Sequence, residues 1–574
     1  MPNRLLALVV AVLLALGGCA TVPTSGPIEH HTQQVPGTDS GVSVHPLPPA
    51  TGASQLLVVE GFLHAMSIHQ PNYAVARQYL TETASALWHP ESGVQVYADG
   101  KPPEEFGQTV MLITPLVGRL DSLGSFATAS EQLRHDFELV RDANNQWRIS
   151  NPPDGLLVSR YLFSTNFTPV TVHFLDASGS VLVPEQRYFA NGDQALTAAV
   201  QAVLSGPSER LAPALRRASV SELDVDNVSL DERGVTMVEL GSDGLRLTTE
   251  ERQNLLAEIV NTVVGFAQVT AVQVSIGGLA IAGEFGGTEL DGDDFTRMSP
   301  DNVTAQRSLF AIAEGRVVAL REANWADFSP VEADLTRPEL IAVRSDLAEV
   351  AAITDSATRL VLAPVGAAKS RTVRTGTGLL RPDFARNGEL WSATASGPGS
   401  FRVFRDGLTI RVDGSELPKR PLVASKLSPD GTRIALVLRN GTRTEVGVAV
   451  VVRTDDQIRL TGWRPLEVNL STGTDGAALD LGWASRSTST KWSPAEVAVL
   501  QRLETGDTSV VRVSEDGATA TDIGPTKAAS LIKLAVVPGR PAVALTDSGA
   551  GYRFESEFNW ALAVTAVDDL AYSG

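Results

Sequence analysis

The apolar residues of this chain change their spacing twice, and each spacing predicts a different kind of structure. From Leu56 to Met66 they recur at the three- and four-residue intervals of a helix face. Five short strand candidates, bounded by turn residues, follow between Val94 and Ile149. Helices first and an antiparallel sheet afterwards predict an α+β unit over residues 52–160.

A second pattern, over residues 168–290, mixes strands with amphipathic helices. Apolar residues alternate with polar ones from Val170 to Phe174, as in a half-buried strand. Thr248 and Glu251 have the spacing of a capping box, and the helix that they begin carries an apolar stripe. The pattern predicts a small α/β unit.

The third pattern, over residues 305–574, shows no convincing amphipathic helix and consists of short apolar runs separated by Asp-Gly turns. Turn-rich stretches followed by an apolar strand recur some 40–55 residues apart, the length of a four-stranded propeller blade. The pattern therefore predicts an all-β propeller of about six blades, with a pair of β-sandwiches as the alternative. Four tryptophans are expected in strand packing, or in one case as an interface anchor at a channel mouth: Trp391, Trp463, Trp483 and Trp492.

The amino terminus has the pattern of a targeting segment. A basic start is followed by twelve apolar residues that end at Leu16, and such a helix rises about 18 Å, short of the ~30 Å hydrocarbon core of a membrane. Residues 1–18 are therefore predicted to be a secretory signal peptide, and residues 19–51 a Pro-rich tether.

The end of that signal, Leu16-Gly17-Gly18-Cys19, resembles the bacterial lipobox. The resemblance implies cleavage before Cys19, an S-diacylglycerol group on its sulfur and an N-palmitoyl group on the new amino terminus. Several acyl chains would hold the protein firmly at a membrane. An ordinary signal peptide that ends in a chance cysteine is the alternative.

The charge balance excludes one class of partner. The chain has 47 Lys and Arg against 66 Asp and Glu, a net charge of −19, whereas nucleic-acid binding needs a basic face. Its single cysteine excludes an intrachain disulfide, and all eight histidines lie at or before His173.

No constellation of reactive residues stands out. The sequence has no His-Glu-x-x-His pair, no paired cysteines, no Gly-x-Ser-x-Gly elbow and no phosphate-binding Gly-Lys-Ser/Thr loop. The acidic run Glu289–Asp294 lacks the spacing of a calcium loop and is interpreted as a solvated linker. We therefore predict no catalytic residue, no metal site and no cofactor, and a protein that is not an enzyme.

The first unit is similar in its order of elements to the cone-shaped nuclear-transport-factor-like (NTF2-like) fold. Such cones often hold a pocket, which His64, His69 and His89 are candidates to line. Surface histidines, or histidines with satisfied hydrogen bonds, are the alternative.

The second unit resembles the GerMN domain. The resemblance lies in Val170–Phe174 with its turn, in Leu204–Pro207, in the helix at Thr248 and in Val272–Gly278. It implies an α/β module for extracytoplasmic binding without known catalytic residues.

The whole order of lipobox, tether, helix-led unit, GerMN unit and propeller resembles the actinobacterial lipoprotein LpqB family. The segments that fit are Cys19–Pro27, Ala76–Leu80, Trp147–Ile149 and Pro152–Gly155. The resemblance implies a lipid anchor at the extracytoplasmic face of the cell membrane and contact with the extracytoplasmic domain of an MtrB-like sensor histidine kinase. Through such an MtrAB-like two-component system, it implies control of cell-wall homeostasis and cell division.

The residues alone lead only to an anchored, multi-domain, non-catalytic binding protein. Two other functions stay open at this point. One is an extracytoplasmic carrier of a small ligand or glycan. The other is a cell-wall glycan hydrolase that uses two propeller carboxylates, because the separation of such a pair is spatial and not sequential.

Overall fold

In the computed structural model the first helix starts at a polar cap. The Ser54 hydroxyl accepts a hydrogen bond from the Leu57 N–H at 3.2 Å. The elements of this first region are α1 Gln55–Met66, α2 Ala74–Arg77, α3 Glu82–Leu87, β1 Val94–Tyr97, β2 Glu104–Phe106, β3 Thr109–Leu120, β4 Phe126–Thr128, β5 Gln132–Asp136, β6 Leu139–Arg141, β7 Trp147–Ile149, β8 Leu156–Ser159 and α4 Arg160–Asn166.

The structure describes most of the chain after residue 45. The described residues are 46–107, 109–192, 194–216, 223–284, 286–300, 307–321, 324–328, 335, 337–367, 369–454, 456–468, 476–485, 495–525 and 530–574. The predicted signal peptide and Cys19 lie outside them, and so do Trp492 and most of the predicted tether.

The first region is α+β, as predicted. Its sheet has the order β2-β3-β1-β8, with β4 and β5 also paired to the long strand β3. The pairing of β1 with β8 is parallel, so the sheet is mixed rather than wholly antiparallel. Phe62, Met66 and Trp88 fill the core between helices and sheet. The similarity to the NTF2-like fold stays a prediction.

The second region is an α/β unit. Its elements are β9 Phe167–Leu175, β10 Leu182–Ala190, α5 Ala195–Ser205, β11 Val225–Leu230, β12 Val235–Leu240, α6 Thr249–Val263, β13 Ala271–Ile276 and β14 Leu279–Ala280. The sheet order is β11-β12-β13-β14, and β12 and β13 run parallel on either side of the α6 crossover. The predicted capping box starts α6: the Glu251 N–H donates to the Thr248 hydroxyl at 3.2 Å, and the Thr248 N–H donates to the Glu251 carboxylate at 2.8 Å.

Apart from single helical turns, the regular elements in the described residues of the third region are all β-strands. They are β15 Leu309–Ala313, β16 Arg316–Arg321, β17 Asn324–Asp327, β18 Leu340–Val343, β19 Glu349–Thr354, β20 Arg359–Pro364, β21 Arg371–Thr375, β22 Asp383–Phe384, β23 Leu390–Ser392, β24 Arg402–Arg405, β25 Leu408–Asp413, β26 Leu422–Leu427, β27 Arg433–Asn440, β28 Arg443–Arg453, β29 Ile458–Pro465, β30 Gly476–Ser485, β31 Ala495–Leu503, β32 Thr508–Ser514, β33 Ala520–Asp522, β34 Leu531–Ala535, β35 Val543–Thr546, β36 Gly551–Ser556, β37 Asn559–Val564 and β38 Asp569–Tyr572.

These strands form six four-stranded blades within the described part of residues 307–574, which confirms the predicted propeller. Blade 1 consists of β15–β17 and the last strand, β38, which pairs with β15. Blades 2 to 6 are β18–β21, β22–β25, β26–β29, β30–β33 and β34–β37. The innermost strands contact one another in the cyclic order β38, β18, β22, β26, β30, β34 and back to β38, so the ring is closed.

The three regions share hydrophobic cores. Val450 and Val452 of β28 belong to the same core as Val203 of α5, so blade 4 packs into the α/β region. Ala518, in the turn after β32 of blade 5, packs against the core of the first region. Residues 46–574 accordingly form one unit.

Candidate functional site

Three aspartates in the central channel of the propeller join neighbouring blades. The Asp569 carboxylate of blade 1 accepts a hydrogen bond from the Ile341 N–H of blade 2 at 2.9 Å. Asp383 of blade 3 and Asp480 of blade 5 accept in the same way from blades 4 and 6, each at 2.8 Å. Every second blade therefore presents a carboxylate to the innermost strand of the next blade.

Three cations balance these carboxylates around a cavity of about 170 Å³. Arg381 binds Asp569 through two hydrogen bonds, of 2.6 and 2.9 Å, and Lys533 lies 3.1 Å from the same carboxylate. Lys426 pairs with Asp383. Burial raises the pKa of Asp480, and the nearby Arg381 opposes that shift. The channel is thus a neutralised charge network with room for a few water molecules or a small ion.

One mouth of the channel lies beside the segment that leads into the propeller. Arg386 donates to the carbonyl oxygens of Ser299 and Pro300 at 2.7 and 3.0 Å. Trp483 lines the same mouth but is 1% exposed, and its indole N–H donates to the Lys426 carbonyl at 2.9 Å. Its burial removes Trp483 as an interface anchor. Trp391 is also buried, and Trp463 is half-buried.

A buried ion pair connects blades 4 and 5. The Arg433 Nε atom lies 2.9 Å from the Glu515 carboxylate, and the two side chains are 0% and 4% exposed. Arg433 also donates to the Pro184 carbonyl of the α/β region, across the interface between regions. Burial raises the pKa of Glu515 to about 7, although Arg433 and Arg210 lower it.

A second buried arginine joins the first two regions. Arg187 of β10 pairs with Glu185 at 2.8 Å and donates to the Leu123 carbonyl of the first region at 3.0 Å. The same guanidinium donates to the Gly206 carbonyl after α5 at 3.2 Å. A buried charge is costly unless its hydrogen bonds are met. These contacts therefore favour one relative placement of the regions.

The α/β region carries an open groove of about 690 Å³ between the start of β9, the start of α5 and the loop after α6. No charged side chain is among its described lining residues, which include Thr171, Asn191 and Phe266. The groove suits a neutral molecule.

The remaining candidate residues do not converge on one site. His64, His69 and His89 are all exposed, and His89 pairs with Glu91 at 3.1 Å, so the structure places the three side chains at the surface. The acidic run is not a plain linker. Asp291 and Asp294 cap a short helical turn over Gly292–Met298, and no group of three possible metal ligands occurs among the described residues.

Cys19 cannot be placed, because it lies outside the described residues. No helix within the described ranges has the length and apolar character needed to cross a membrane.

The buried ion pairs and the channel aspartates were not found from sequence. The two residues in such a contact are up to about 250 positions apart along the chain, as for Arg433 and Pro184.

Three family models match successive parts of the chain. The model of the lipoprotein LpqB N-terminal domain matches residues 48–164, and that of the lipoprotein LpqB beta-propeller domain matches residues 315–570. Between them, residues 171–281 match the Germane model, described as sporulation and spore germination. The GerMN resemblance of the second region is thereby confirmed.

Curated relatives match over nearly the full length. Lipoprotein LpqB of Cutibacterium acnes is 28% identical and covers 99% of both chains, and that of Thermobifida fusca is 24% identical and covers 98% of both. Among solved structures, the first GerMN domain of the sporulation protein GerM from Bacillus subtilis is 17% identical, with a TM-score of 0.19, over 22% of this chain and 95% of that one. Because two LpqB family models match this chain and relatives named lipoprotein LpqB match it over nearly the full length, the chain belongs to the lipoprotein LpqB family.

Proposed function

We propose that this protein is a membrane-anchored extracytoplasmic lipoprotein that docks on the sensor domain of an MtrB-like histidine kinase. By docking, it modulates an MtrAB-like two-component system that controls cell-wall homeostasis and cell division. The protein is not an enzyme in this proposal. It acts by binding alone.

The observation that carries the proposal is the interlocked architecture of residues 46–574. Arg187 and Arg433 are buried and donate across the interfaces between regions, and the regions share hydrophobic cores. A body joined in this way keeps its surfaces at fixed spacing. A partner bound at one surface is then held in a defined orientation to the rest, which is what a regulatory platform requires.

The contacts of the channel carboxylates favour docking over glycan hydrolysis. A retaining or inverting hydrolase needs two carboxyl groups that reach the sugar. Asp383, Asp480 and Asp569 each accept a backbone N–H from the next blade. Asp383 and Asp480 are not accessible to a bulky polymer, because the cavity that they line has a volume of only about 170 Å³.

The anchor is part of the same proposal. Acylated Cys19 would confine the protein to the membrane that holds the kinase, and confinement raises the effective concentration of two partners without any new contact. A family name that includes lipoprotein supports this role of Cys19.

Binding of the kinase sensor domain by the purified full chain, measured by isothermal titration calorimetry in non-ionic detergent, tests the proposal. We expect a Kd in the micromolar range or tighter. The sensor domain of an unrelated histidine kinase is the control and should give no heat of binding. Absence of binding at ~100 μM, with circular dichroism showing both partners folded, would overturn the proposal.

A further inference from the structure

The outer strands of blades 3 and 4 meet in an unusual way. In β25 of blade 3, Val412 and Asp413 pair in parallel with Ile458 and Arg459 of β29 in blade 4. Within the described strands, no other two outermost strands of neighbouring blades are paired. Beside this junction lies an open cavity of about 1230 Å³, here called the basic groove.

The basic groove carries more positive than negative charge, in a chain whose net charge is −19. Its cationic lining residues are Arg374, Arg402, Arg405, Arg411, Lys419 and Arg420, and its acidic ones are Asp413 and Asp456. Arg405 is paired with Glu389 at 3.4 Å, and Arg420 with Glu445. The other four cations have no carboxylate partner among the described residues.

Two of these unpaired cations lie where like charges repel. Arg402 of β24 stands directly opposite Arg411 in β25, and like charges in that relation destabilise a sheet. Arg374, from blade 2, lies close enough to Arg402 for the two positive charges to repel each other. Burial lowers the pKa of Arg374, and the charge of Arg402 lowers it further.

Backbone carbonyls hold two of the guanidinium groups in place without neutralising them. Arg374 donates to the carbonyl oxygens of Ser392 and Ser400 at 2.7 and 2.9 Å. Arg402 donates to the Phe401 carbonyl at 2.6 Å. The side chains are therefore positioned before any ligand arrives, and the positive charge stays uncompensated.

We propose that the basic groove binds phosphate groups, with Arg374, Arg402 and Arg411 as the principal ligands and Lys419 at the rim. Guanidinium groups match phosphate oxygens in paired hydrogen bonds, and a multiply charged anion relieves the repulsion among several cations at once. The phosphate could belong to a lipid head group or to a water-soluble phosphate ester. Leu408, 64% exposed at the tip of the β24–β25 hairpin beside the groove, is placed to touch an apolar part of either.

Hydrogen–deuterium exchange on the full chain, anchored in phosphatidylcholine nanodiscs, tests the proposal and distinguishes the two sources. Sodium pyrophosphate is added in one arm, and half of the lipid is replaced by phosphatidylglycerol in the other. We expect slower exchange over residues 394–411 in at least one arm. Protection by pyrophosphate alone assigns a soluble phosphate, and protection by phosphatidylglycerol assigns a lipid head group. Protection in neither arm overturns the proposal.

The variant Arg402→Gln/Arg411→Gln provides the matched test of the residues. Its affinity for the protecting ligand should fall at least about tenfold, while its melting temperature should stay equal or rise because the repulsion is removed. Arg316→Gln/Arg439→Gln removes the same charge from exposed positions in blades 1 and 4 and should bind as the parent does. Equal losses in the two variants would show only general electrostatic attraction and would also overturn the proposal.

Discussion

The Asp569 carboxylate in the last strand accepts a hydrogen bond from the Ile341 N–H at 2.9 Å and so connects the first blade of the propeller to the second. Arg381, which leads into blade 3, binds the same carboxylate. One aspartate thus joins three blades at the point where the ring closes.

Removing this negative charge should weaken the ring. Asp569→Asn would leave Arg381 and Lys533 in the channel without the carboxylate that they share, and we expect the free energy of unfolding to fall by about 3 kcal/mol. Urea denaturation monitored by tryptophan fluorescence measures the change. Asp568→Asn, at the exposed neighbouring position, is the control and should stay within about 0.5 kcal/mol of the parent. Equal stabilities of the two variants would show that the carboxylate is not needed at the closure.

The Arg433–Glu515 pair should be strongly coupled. Arg433→Met leaves a buried carboxylate without its nearest cation, and a loss of about 3–5 kcal/mol is expected. In Arg433→Met/Glu515→Gln the carboxylate at position 515 is gone, whereas Asp430, 3.4 Å from the Arg433 guanidinium in the parent, stays without its cation, so only part of the loss should be recovered. A double-mutant cycle in urea gives the coupling free energy, which we expect to exceed about 1 kcal/mol. Additive losses would contradict the idea that the pair acts as a unit.

Glu258 should make stability depend on pH. It is 4% exposed on α6 and accepts a hydrogen bond from the Leu175 N–H at 2.9 Å. Burial raises its pKa from 4.5 to about 7. The folded state therefore binds the proton more tightly than the unfolded state does. The stability from this group is complete below pH 4.5 and is lost as the pH rises towards 7.

Glu258→Gln keeps the acceptor oxygen and removes the titration. Relative to the parent it should gain up to about 3 kcal/mol between pH 5 and pH 8. Glu250→Gln, at an exposed position of the same helix, should show no such pH-dependent gain. Parallel pH profiles for Glu258→Gln and the parent would contradict the assignment.

Local patterns predicted the elements well where neighbouring residues decide the structure. The strands Val94–Tyr97 and Trp147–Ile149 and the Thr248–Glu251 capping box follow from adjacent residues and were placed correctly. Asn72 is of a residue type that commonly caps helices, but Tyr73 occupies the cap position of the next helix. Asn72 has a φ of 53°, and the following helix begins at Ala74.

Local sequence patterns could not predict the charged side chains that join the blades and the regions. Asp383 lies 44 positions from Leu427, and Arg381 lies 188 from Asp569. Periodicity along one strand gives no information about which charged side chain another blade presents. The basic groove could not be predicted from the sequence for the same reason, because its cations come from blades 2 and 3 and from the loop before blade 4.

In the function proposed above, the anchored protein regulates a kinase by docking on its sensor domain. The most direct test is the autophosphorylation rate of the full-length MtrB-like kinase in proteoliposomes, with and without the full acylated chain in the same membrane. We predict a rate change of at least about threefold, reduced when Cys19→Ala prevents anchoring at the same bulk concentration. An unchanged rate, with both folded proteins present in one membrane, would show that the protein does not regulate the kinase by docking.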